Sequence, residues 1–136
     1  MGLDTTRAQM TQAVLEGVAF AIRDSVEIAR GLGLSIAKSG LCGGGAKSEL
    51  WRRIMANVLN LDLEVPESEQ GAGYGGAILA MVAAGAYDSV RTACRALQTP
   101  RTVYHPDPAI AARYEARYQV FRTLYPALRE IYPTFA

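Results

Sequence analysis

An α/β fold rich in helix is what this sequence predicts, and three observations carry it. Long stretches repeat apolar residues at helical spacing, one short stretch alternates apolar and charged residues, and a glycine cluster links an extended segment to a helix. At 136 residues and 50% hydrophobic, the chain is long enough for one domain with a core.

The first element is a helix expected over about residues 6–32, with Asp4 or Thr5 as cap, since short oxygen-bearing side chains accept from first-turn amides. Gln9, Gln12, Glu16, Arg23, Glu27 and Arg30 fall at spacings of three, four or seven and make one polar face. Met10, Val14, Gly17, Val18, Ala21 and Ile22 lie on the opposite, apolar face. Gly31 and Gly33 stop the helix. An extended segment over 36–42 runs into Gly43-Gly44-Gly45-Ala46. From Ser48, a good N-cap, to Asn60 a second helix carries the stripe Leu50, Trp51, Ile54, Met55, Val58 and Leu59.

Leu61, Leu63 and Val65 alternate with Asp62 and Glu64, so a half-buried strand ends at Pro66. The loop Glu67-Ser68-Glu69-Gln70 leads to a helix of very small residues over about 71–84. Its glycines cost helix propensity, so close approach of a backbone or ligand is expected to favour it. Ser89 caps a short helix to about Leu97, and residues 98–106 read as an irregular linker. Asp107 with Pro108 starts a last helix whose apolar side is Ile110, Tyr114, Phe121, Leu124 and Leu128, and Pro126 is expected to end or kink it near Tyr125. Two strands are too few for a sheet standing alone, so the chain is expected to belong to a larger α/β domain whose earlier strands are missing.

Composition narrows the function. The net charge of +1 comes from interspersed charges, which argues against nucleic acid as a partner. No apolar run reaches the roughly 20 residues of a membrane span, and residues 1–7 lack a signal peptide's pattern, so a cytoplasmic protein is expected. Cys42 and Cys94 form no metal or disulfide framework and are expected to be reduced.

Leu41 to Ser48 is the segment most open to chemistry. Residues without bulk let a ligand approach backbone, and the following helix start favours negative charge. A tight strand-to-helix turn without a ligand would have the same pattern. The segment is not a P-loop, because Ala46 separates Gly45 from Lys47. Gly71, Gly73 and Gly76 satisfy a dinucleotide fingerprint, but no strand is expected after their helix to carry the ribose-binding acid, so an oxidoreductase is disfavoured. His105 has no histidine or cysteine near it and reads as a turn residue. Asp62 and Glu64 are expected to face water, and the tyrosines from Tyr104 to Tyr132 to pack on the terminal helix.

Residues 43–54, Gly-Gly-Gly-Ala-Lys-Ser-Glu-Leu-Trp-Arg-Arg-Ile, resemble the adenosine-binding signature of the FGGY carbohydrate kinases. Residues 13–20 resemble the helix before it and Gln70 to Ala80 the small-residue helix after it. Tyr104-His105-Pro106-Asp107 with the Tyr-rich tail is similar to the xylulose kinase branch. The resemblance implies the C-terminal portion of an actin-like, ribonuclease-H-like ATPase domain over 1–136, incomplete at its N-terminal side. It implies ATP with Mg²⁺, and D-xylulose as acceptor. Gly44, Gly45 and Ala46 would pass along adenine and ribose, with Ser48 or Glu49 near the base; Gly45 is the first of these to test. Asn57 stands where many members have aspartate, and Tyr74 and Gly75 where alanine and leucine are usual. No catalytic residue or metal ligand is expected here, because the family's phosphate loop, sugar contacts and catalytic aspartate lie upstream. This segment alone is expected to be inactive, and to self-associate or to have a covalent neighbour upstream. The alternatives are a freestanding nucleotide-binding or interaction module and a kinase for another sugar or polyol.

Overall fold

In the computed structural model, residues 2–67 and 71–132 are described. Ser68, Glu69 and Gln70, the expected lead-in to the small-residue helix, lie outside them. Five helices and three strands follow in the order α1 (Arg7–Gly31), β1 (Lys38–Gly40), α2 (Glu49–Leu59), β2 (Asp62–Pro66), α3 (Ala72–Ala83), α4 (Val90–Ala96), β3 (Arg101–Tyr104) and α5 (Pro108–Leu128), with a 3-10 turn at Gly44–Lys47.

β1 and β2 are parallel, with Ser39 opposite Leu63, and α2 is the crossover that such a pair requires. β3 joins antiparallel on the far side of β2, pairing Leu63 with Tyr104 and Pro66 with Arg101. The segment expected to be an irregular linker therefore holds a third strand. Thr102 and Val103 suit a strand, yet Arg101, Thr102 and Val103 are all exposed, so no alternation marks them. Pairing with β2 supplies what local pattern does not.

Helix α2 is the centre of the molecule. From Ile54 to Leu59 every residue is buried, with the sheet on one side and α1 and α5 on the other. Ser48 Oγ accepts from the Trp51 amide at 3.3 Å, and Asn60 closes the helix in the left-handed conformation, φ 49°.

Helix α1 corrects two expectations. Its cap is Thr6, not Asp4 or Thr5: Thr6 Oγ1 accepts from Gln9 N at 3.2 Å, and Gln9 Oε1 accepts from Thr6 N at 2.8 Å. Its buried side takes in the middle of the polar face. Glu16, Ala19, Phe20 and Arg23 face inward, while Met10, Val14, Val18 and Ile22 remain 47, 66, 49 and 39% exposed. The reversal has a physical reason, because each inward charge meets a partner on α5. Glu16 accepts from Tyr114 Oη at 2.9 Å and Arg117 at 3.0 Å, and Arg23 pairs with Glu115. Paired charges tolerate burial that lone ones do not. Phe20 fills the space between them against Tyr114, Tyr118 and Phe121, with ring centroids 5.3–6.0 Å away.

On α5, Asp107 Oδ1 caps through Ala109 N and Ile110 N at 2.8 and 3.1 Å. Ala111, Tyr114 and Tyr118 are buried, whereas Ile110, Leu124 and Leu128 are exposed. The helix passes through Pro126 to Leu128 instead of ending at Tyr125. Proline gives up one backbone bond in the last turn, and the Arg129 amide restores the pattern by donating to Tyr125 O at 2.8 Å. In α3 only Ile78 is buried, and no atom lies within 4 Å of a Cβ built on Gly73, Gly75 or Gly76. The close neighbour expected from those small residues is not supplied by the described part of this chain. Tyr74 Oη instead ties α3 to the end of α4 through Leu97 O, at 2.9 Å.

Candidate functional site

Leu41, Cys42 and Gly43 leave the carboxyl end of β1 beside Val65, Pro66 and Glu67, at the carboxyl end of β2. With Ala46, Lys47, Arg52 and Gly71 they line a cleft of about 210 Å³. Open α/β sheets take ligands at this end of their parallel strands.

The floor of the cleft is the turn after β1. Gly43 has φ 85° and ψ −177°, a conformation essentially confined to glycine. It starts a turn whose amides bond internally, Ala46 N to Gly43 O at 3.0 Å and Ser48 N to Gly45 O at 3.1 Å. Such a turn presents little bulk, so a flat ring system can lie close to its backbone.

The sequence-derived residues separate on inspection. Ala46 is buried and lines the cleft. Gly44 and Gly45 sit in the turn without lining it. A Cβ on Gly45 would lie 3.1 Å from both Cδ1 and Nε1 of Trp51, so the indole occupies that side, whereas a Cβ on Gly44 meets nothing within 4 Å. The Ser48 hydroxyl caps α2, and Glu49 is exposed and pairs with Arg53 at 2.7 Å. The sequence reading missed Arg52. Its Nε donates to the Ala46 carbonyl and Nη1 donates to Tyr104 Oη at 2.6 Å. The signal available was Arg52's place one turn into α2, on the side of the turn, but its second partner lies on the unrecognised strand.

The remaining candidates resolve as structural contacts. His105 Nδ1 is 2.8 Å from Asp62 Oδ1. Glu64 sits between Lys38 at 2.7 Å and Arg101 at 2.9 Å. These hydrogen bonds, Lys38's first, hold its carboxyl below the ordinary value. Asp62 beside His105, and Glu64 between Lys38 and Arg101, are thus separate contacts and not a carboxylate pair. Cys42 and Cys94 are free and exposed. Among the described residues no three His, Cys, Asp or Glu side chains gather as metal ligands, and no helix is long and apolar enough to cross a membrane. The Gly71, Gly73, Gly76 fingerprint begins α3, but the next strand, β3, runs antiparallel to β2, unlike the dinucleotide fold.

Comparison with known proteins agrees with this arrangement. The sequence model of the FGGY family of carbohydrate kinases, C-terminal domain, matches residues 1–84. A xylulose kinase of Staphylococcus epidermidis is 29% identical over 93% of the chain, and an L-xylulose/3-keto-L-gulonate kinase of Escherichia coli is 32% identical over 91%. The crystal structure of a xyloylose kinase from Brucella ovis superposes with a TM-score of 0.84 at 34% identity, covering 96% of this chain and 27% of that one. The chain spans about a quarter of the length of the curated relatives it matches, 25% for both bacterial kinases. With the model match extending over more than half its residues, the chain belongs to the FGGY family of carbohydrate kinases and carries that family's C-terminal domain.

Proposed function

We propose that this chain is the ATP-binding part of a sugar kinase that phosphorylates D-xylulose to D-xylulose 5-phosphate in the cytoplasm. The observation that carries the reading is the turn at Gly43–Lys47, a low-bulk floor with internally bonded amides at the carboxyl ends of two parallel strands. Ala46 and the neighbouring Gly44 and Gly45 pass along the adenosine, and Ser48 and Glu49 start the helix beside the base.

The chain's role is to bind and orient one end of ATP. Phosphoryl transfer needs nucleotide, Mg²⁺ and acceptor hydroxyl brought together, and catalysis there is mostly positioning. The acid that takes the hydroxyl proton, the phosphate loop and the Mg²⁺ ligands belong to an upstream portion of the full-length enzyme. Several features support this division. The cleft is below the roughly 300–1,000 Å³ of complete small-molecule sites, as one wall of a site would be. Lys38, Ser39 and Gly40 leave one edge of β1 exposed, where the earlier strands of an actin-like, ribonuclease-H-like domain would pair. The apolar ridge of α1 and the uncovered small residues of α3 are surfaces suited to the same neighbour, or to a second copy of the protein.

A kinase for a different pentulose is the second reading, favoured by the E. coli relative, whose name gives L-xylulose and 3-keto-L-gulonate. Sugar-dependent ATP turnover by the full-length enzyme tests both, with D-xylulose compared against L-xylulose and ribulose. D-xylulose turnover is expected from the full-length enzyme and none from this segment alone. Turnover by the segment would overturn the division of labour, and a full-length enzyme inert towards every sugar would overturn the kinase reading.

A further inference from the structure

Arg52 ties the glycine turn, six residues before it, to strand β3, 52 residues after it. It rises from α2, donates through Nε to the Ala46 carbonyl at the end of the glycine turn, and donates through Nη1 to Tyr104 Oη on β3 at 2.6 Å. The guanidinium carbon also lies 5.3 Å from the centre of the Tyr104 ring. Arg52 and Ala46 both line the cleft. The Ala46 and Ser48 amides bond within the turn, and the Arg52 guanidinium and the Trp51 indole beside Gly45 tie the turn to α2 and β3.

We propose that Arg52 is a positioning residue for the nucleotide loop: anchored by Tyr104, it fixes the Ala46 carbonyl and thereby the surface on which the adenosine rests. The proposal builds on the ATP-binding reading and adds that the tail strand β3, outside the 1–84 family match, sets the geometry of that surface. The guanidinium suits the task because its planar fork serves two acceptors at once, which a lysine ammonium on a flexible stem does not do in fixed geometry.

The test uses Arg52→Met, Arg52→Lys and Tyr104→Phe. In this chain without ligand, hydrogen exchange at the Ala46 and Ser48 amides reports loop order directly. Arg52→Met should accelerate both roughly 10-fold while the amides of Val58 and Leu59 in α2 keep their protection; tenfold corresponds to about 1.4 kcal/mol. Arg52→Lys should restore part of the protection and Tyr104→Phe should lose part of it. In the full-length kinase, Arg52→Met should raise the KM for ATP roughly 10-fold with kcat and the sugar KM within about twofold, since ground-state nucleotide placement is what changes. Unchanged exchange at Ala46 and Ser48 would overturn the positioning role whatever the nucleotide does. Faster exchange with unchanged ATP KM would instead leave Arg52 a loop anchor only and remove this surface from the nucleotide site, overturning the link to ATP.

Discussion

Three adjacent glycines in the turn are predicted to respond differently to the same substitution. Gly43 has φ 85° and ψ −177°, so Gly43→Ala should cost about 1–3 kcal/mol of backbone strain. Gly44 has no positive φ, and a Cβ there meets nothing within 4 Å. Gly44→Ala should therefore be neutral, or stabilising by up to about 1 kcal/mol, because alanine restricts the unfolded chain. Gly45 also lacks a positive φ, but its Cβ would press on the Trp51 indole at 3.1 Å from two ring atoms. Overpacking of about 1–3 kcal/mol, reduced by the same chain-entropy gain, leaves Gly45→Ala about 1 kcal/mol less stable, and Gly45→Val worse. Trp51 is the chain's single tryptophan, so its emission reports the contact without labelling. Urea titrations followed at Trp51 give the stabilities, and the emission maximum of the folded state gives the displacement of the indole. A Gly44→Ala penalty above about 1 kcal/mol, or a Gly45→Ala protein with wild-type emission, would refute the reasoning.

The remaining predictions concern the interface of α1 with α5. Burial first, and the hydrogen bond to Asp24 second, push the Tyr118 hydroxyl up from 10.0 to about 12. A raised folded-state value means the contribution is complete below pH 10 and is lost as pH climbs from about 10 to 12, worth roughly 2–3 kcal/mol for a shift of this size. Thermal melts from pH 9 to 12 should show this loss in the wild type and a flatter profile in Tyr118→Phe; parallel profiles would refute it. Glu16 is 11% exposed at its side chain and holds Tyr114, Arg117 and Gln12 together. Glu16→Ala should cost about 2–4 kcal/mol in urea unfolding. Arg117→Met should cost about 1 kcal/mol or less, because that side chain is 52% exposed.

Elements with one repeating local signal were legible in the sequence. Helix α2 carried an apolar stripe between Ser48 and Asn60, and β2 alternated from Leu61 to Val65; both stand where the pattern put them. Strand β3 was illegible because its partner, not its burial, defines it. Helix α1 was assigned the wrong inner face because periodicity counts charges as outward, whereas Glu16 and Arg23 find their partners about 92–101 residues later in the chain. The candidate site was half legible for a similar reason. The glycine turn announced itself, but Arg52 owes its place to Tyr104, 52 residues away, and the cleft's second side comes from β2. Local composition marked where backbone could approach, and only the assembled sheet says which side chains hold it there.

Tyr114, Glu115, Arg117 and Tyr118 lie beyond residue 84, where the family match stops, yet they cover Phe20 and answer the charges of α1. The family model stops short of these contacts, whereas the kinase relatives match nearly the whole chain, α5 included. A hybrid enzyme spliced at Ala84 would keep every residue of the model match while separating Glu16 and Arg23 from the α5 side chains that pair with them. Exchange of parts between such kinases works best when the graft runs through α5, so that the first helix and the last travel together.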